Sequence, residues 1–84
     1  MTTNLTYEQL TKRAEREIRD AMQRAAACEL GSYGLGLAVG EARGALALWD
    51  ALVATLGATH TADARADHAR LEALAYAKRA RSAS

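Results

Sequence analysis

Proline and phenylalanine are absent from this chain of 84 residues, and cysteine occurs once. Without proline no helix is broken by a residue that lacks its amide hydrogen. The single thiol, Cys28, excludes an internal disulfide. Ile18, Val39 and Val53 are the only Ile and Val residues, a scarcity that speaks against a sheet. The longest uncharged runs, Leu30–Gly40 and Ala51–Ala62, span 11 and 12 residues, well short of the roughly 20 that cross a bilayer. Charge of one sign is lacking too. Eleven Lys and Arg against ten Asp and Glu leave +1, which neither demands nor excludes nucleic acid. The amino end, MTTNLTYEQL, has neither the basic start nor the apolar run of a secretory leader, so a reduced, cytoplasmic setting is expected.

What fills the chain instead is alanine, at 21 positions, with eleven leucines, two methionines and Trp49. Strong helix formers of this kind predict an all-α fold. The expectation is one domain, 1–84, folded as a compact three-helix bundle with close packing through glycine and alanine. Its helices are expected at about 7–30, 35–57 and 61–80. A chain this short has a marginal core, which makes a second copy or a tight partner useful.

The first helix has a marked start: Thr6 and Gln9 have the spacing of a capping box, and Leu5 and Leu10 that of a hydrophobic staple. Its apolar stripe runs through Tyr7, Leu10, Ala14, Ile18, Met22, Ala25 and Cys28. Five oppositely charged i, i+4 pairs, from Glu8–Lys12 to Asp20–Arg24, occupy the other side. In the second helix Leu35, Val39, Ala42, Leu46, Trp49, Val53 and Leu56 recur at steps of four and three. Gly40, Gly44, Ala47, Ala51, Ala54 and Ala58 fall on the opposite side, so this helix is expected to bury two faces. One is bulky and centred on Trp49; the other is nearly bare backbone at a close helix contact. On that reading Gly44→Leu overpacks a seam. The third helix, opening at Thr61, carries an alanine seam at Ala62, Ala66, Ala69, Ala73, Tyr76 and Ala80, with Leu71 and Leu74 on another side. Either the alanines pack inward and the leucines meet a partner or the first helix, or the leucines are core and the alanines filler. The first arrangement is preferred, and it makes Leu71, Leu74 and the cations Lys78, Arg79 and Arg81 the expected partner-binding residues, with a homodimer through Leu71, Leu74 and Lys78 as one form.

Site chemistry is thin. Gly34, Gly36 and Gly40 mimic a dinucleotide-binding loop, but no strand precedes them and no βαβ unit surrounds them. His60, Asp63, Asp67 and His68 have helical metal-ligand spacing, yet they open a helix where Asp is favoured anyway, and no second cluster adds ligands. Cys28 has no activating base nearby in sequence. No catalytic, cofactor-binding or metal-ligating residue is assigned, and the chain is read as no enzyme.

In size, composition and lack of a chemical site, the whole chain resembles the short, alanine-rich helical proteins encoded by phages and mobile elements of GC-rich bacteria, anti-CRISPR proteins among them. The resemblance rests on no motif and carries over no residue. It implies a protein-binding inhibitor in a bacterial cytoplasm, acting on a host protein such as a CRISPR–Cas component. At a net charge of +1 the chain departs from the acidic nucleic-acid mimics of that group, so steric blocking is the implied mode. The alternatives are a small DNA- or RNA-binding regulator using first-helix arginines and the basic tail, and a purely self-assembling helical module.

Overall fold

The structure, a computed structural model, describes residues 6–57 and 61–77. Three helices, α1 (Tyr7–Ala27), α2 (Tyr33–Thr55) and α3 (Ala62–Ala75), form an all-α bundle. Each start is capped by a hydroxyl, satisfying an amide that the helix itself leaves unpaired. The capping box of α1 is present in full: Thr6 Oγ1 accepts from the Gln9 amide at 3.1 Å, and Gln9 Oε1 accepts from the Thr6 amide at 3.0 Å. Ser32 Oγ accepts from the Leu35 amide at 3.1 Å, which starts α2 earlier than position 35. Thr61 Oγ1 accepts from the Ala64 amide at 3.0 Å. Leu5 of the expected staple lies outside the described residues.

Cys28 ends α1 before position 30, because its backbone is extended, at φ −88° and ψ 153°. The turn that follows needs Gly31 in the left-handed region, at φ 76°, and Gly57 plays the same part after α2 at φ 73°. Helix α3 closes at Tyr76, and its expected continuation from 78 to 80 lies outside the described residues. The short link sets α1 and α2 antiparallel, so Arg24 reaches Glu41 at one end of the pair and Trp49 reaches Thr11 at the other. Helix α3 lies against both.

The core is Leu10, Ala14, Ile18 and Ala21 of α1, Ala42, Leu46, Trp49 and Val53 of α2, and Ala64, Leu71 and Ala75 of α3. Trp49 is a core residue, as its place in the stripe predicts. Its indole N–H donates to the buried Thr11 hydroxyl at 2.9 Å, which explains why a polar residue joins the apolar stripe of α1.

Two expectations about small residues do not hold. Gly40 and Gly44 are exposed, and a Cβ added at either would meet nothing within 4 Å. The small-residue packing of the bundle comes from alanines such as Ala14, Ala42, Ala64 and Ala75, not from glycine. Helices α1 and α3 both pack on the bulky side of α2, since apolar area removed from water grows with side-chain size. Among the described residues nothing covers the glycine side. Helix α3 is likewise turned the other way: Leu71 is 0% exposed, whereas Ala62, Ala66, Ala69, Ala73 and Tyr76 face solvent. A leucine side chain has about twice the apolar area of an alanine methyl, so Leu71 takes the inward position.

A helix-interior glycine with open space around it costs about 0.5–1 kcal/mol against alanine. Gly40→Ala and Gly44→Ala are therefore each expected to stabilise the protomer by that amount in urea melts at low protein concentration. A loss of stability in either variant would show that a neighbour already touches that backbone.

Candidate interaction face

Helix α2 carries three charged residues, Glu41, Arg43 and Asp50. All three turn toward the other helices. Glu41 pairs with Arg24 of α1. The Arg43 guanidinium lies over the Tyr76 ring, 4.3 Å from its centroid. Asp50 Oδ2 stands 3.3 Å from His68 Nε2 of α3. The side of α2 opposite the core is left without charge.

That outward side holds Tyr33, Leu37, Gly40, Gly44, Ala47, Leu48 and Ala51, all of them exposed, along a helix about 35 Å long. Tyr33 is 82% exposed, Leu37 50% and Leu48 61%. Leu37 and Leu48 are eleven positions apart, three helical turns, and share one line with the two glycines between them. The Thr55 hydroxyl at the far end donates to the Ala51 carbonyl at 3.0 Å, which ties it back to its own helix. A helix apolar on every side normally has every side covered. Here one side is open to water.

The expected partner residues lie elsewhere. Leu71 is core and Leu74 is packed against the core, so the pair does not form an exposed anchor. Lys78, Arg79 and Arg81 lie outside the described residues. Tyr33, Leu37 and Leu48 were not foreseen as surface. The available signal was the eleven-residue spacing of two leucines around glycines on a side without charge.

A second, polar feature joins α1 to α3. The Tyr7 hydroxyl donates to Asp67 Oδ2 at 2.6 Å, and Arg70 holds both Asp67, at 3.1 Å, and Glu15. Arg19 Nε donates to Glu15 at 2.9 Å. The hydrogen bonds from Arg19 and then Arg70 hold the Glu15 carboxyl below its usual range. Asp67 is lowered chiefly by the Tyr7 hydrogen bond and further by Arg70. Burial, together with the bond to Asp67, raises the Tyr7 hydroxyl. Carboxylates kept ionised in this way act as a latch between helices and are poorly suited to proton transfer near neutrality. On the third helix Asp67 binds Tyr7 and Arg70, and His68 faces Asp50. Among the described residues no group of three or more His, Cys, Asp or Glu is placed to hold a metal, and His60 lies outside them. The Cys28 thiol donates to the Arg24 carbonyl at 3.1 Å.

Because Glu15 and Asp67 are lowered in the fold, their contribution to stability is present above the ordinary carboxylate range and is lost as pH falls below that range through their lowered values. Tyr7 acts in the opposite sense, with its contribution held below pH 10 and lost as pH rises through the raised value. The melting temperature is thus expected to fall on acidification below about pH 4, and Asp67→Asn is expected to flatten that fall. Parallel acid limbs for the two proteins would remove the latch from the account.

No helix among the described residues is long and apolar enough to cross a membrane. Comparison of the chain with protein families, with curated proteins and with solved structures finds no match.

Proposed function

We propose that this chain is a non-enzymatic protein-binding module whose contact surface is the outward face of α2. The observation that carries the reading is the sorting of α2's side chains: its three charges are engaged with α1 and α3, while Tyr33, Leu37 and Leu48 stand in water around two glycines. Exposed aromatic and leucine side chains with no nearby charge to solvate are the makings of the centre of a protein interface. The narrower reading is a phage-type inhibitor in a bacterial cytoplasm that occludes a defence complex such as a CRISPR–Cas component, and it rests on the resemblance in size and composition. A nucleic-acid regulator has less support, since Arg13, Arg19 and Arg24 are paired with Glu17, Glu15 and Glu41.

A photo-crosslinking amino acid placed at Leu48 tests the reading in cells that produce the chain, with the same group at Ala69 on the exposed side of α3 as control. A discrete protein adduct from position 48 and none from position 69 is the expected result. The adduct's mass spectrum identifies what is bound, and a defence-complex subunit there would bear out the inhibitor reading. No protein adduct at position 48 contradicts the whole proposal.

A further inference from the structure

We infer that the protein seated on α2's outward face is a second copy of this chain, laid antiparallel with Gly44 at the two-fold axis. The inference rests on the reading of that face as a contact surface, and names its occupant. A two-fold interface must be complementary to itself, because each residue meets its counterpart's position twice. Residues equally distant from Gly44 along the helix face one another across an antiparallel pair. Leu48 then meets Gly40, Leu37 meets Ala51, and Tyr33 meets Thr55. Every large side chain meets a small one. Gly44 meets Gly44 at the crossing, where the missing Cβ atoms let the two backbones approach most closely. A parallel pair sets Leu37 on Leu37 and Leu48 on Leu48, which holds the helices apart over the glycines.

Charge agrees with this occupant. The face itself holds no charged residue, and Glu41 at its edge, which this register sets beside Ala47 of the other copy, is already paired with Arg24 of its own chain. Two such faces can close without stranding an ion. The helix cost of Gly40 and Gly44 finds no packing return among the described residues of the protomer, none of which comes within 4 Å of an added Cβ. Close approach of a second α2 supplies that return. From the exposures of Tyr33, Leu37 and Leu48 and the small residues between them, the face offers on the order of 600 Å² per copy. A pair then buries on the order of 1,200 Å², the lower end of the range of specific interfaces, which fits a dimer of modest affinity.

Sedimentation velocity over a concentration series reads the assembly. The parent chain is expected to sediment as a dimer at high micromolar concentration, and Leu48→Asp as a monomer with an unchanged helical circular-dichroism spectrum. Orientation is read in a Cys28→Ala background: Leu37→Cys with Ala51→Cys is expected to give a covalent dimer on mild oxidation, and Leu37→Cys alone is not. A monomeric parent overturns the inference, as does a Leu48→Asp variant that remains a dimer or unfolds. Oxidation of Leu37→Cys alone as readily as the double variant overturns the antiparallel arrangement. A monomeric parent that still gives a foreign adduct from position 48 separates failure of this inference from failure of the binding reading.

Discussion

Trp49→Ala is expected to remove about 3–5 kcal/mol of stability, the range of large aromatic truncations in well-packed cores. The indole is 2% exposed and sits at the meeting of all three helices. The Tyr7 ring lies 6.3 Å away and the His68 ring 6.1 Å, while Thr11 accepts the indole N–H. Truncation opens a cavity at that junction and leaves the buried Thr11 hydroxyl without its partner. A domain of 84 residues has a total stability of roughly 4–13 kcal/mol. The substitution therefore takes a large share, and urea unfolding at room temperature checks it. A loss below about 1 kcal/mol would mean that Trp49 is not the centre of the core.

Leu71→Asp is expected to leave the chain unfolded at room temperature. It deletes a fully buried leucine, a change worth about 2–5 kcal/mol as Leu→Ala, and adds a carboxylate with no cation in the apolar core to receive it. The contrast with neighbouring positions is the informative part. Ala69→Asp and Ala73→Asp lie on the solvent side of α3, and each is expected to change stability by less than about 0.5 kcal/mol. Circular dichroism and thermal melts of the three variants read the orientation of α3 directly. A folded Leu71→Asp beside an unfolded Ala69→Asp would restore the alanine seam to the core.

These two residues also show how far the sequence reaches. Trp49 was placed correctly because Leu46, Trp49 and Val53 put bulk on one line, and bulk decides which side is buried. The hydroxyl caps at Thr6 and Thr61 were legible because capping is local chemistry, complete within four residues. The alanines of α3 and the glycines of α2 were misplaced for the opposite reason. Steps of four and three show that a face exists, not what covers it, and small residues satisfy the pattern equally well in core and in water. Two leucines outweigh a line of alanines, and that comparison of area was the better guide. Pairing across helices was hidden as well. Spacing assigned Arg24 to Asp20, whereas in the fold it reaches Glu41, and that contact helps clear charge from the outward side of α2. The candidate face is visible only when three such cross-helix contacts are known.

Gly44→Leu tests the one-sided packing of α2 most directly, because it places a bulky side chain at the middle of the face. Its thermal melt and its sedimentation should be measured on the same samples. With Gly44 pointing away from α1 and α3, the variant is expected to keep the helical spectrum and at least the protomer stability of the parent, while losing the concentration-dependent association. A variant that fails to fold would contradict the account, since it would place Gly44 against another helix of its own chain.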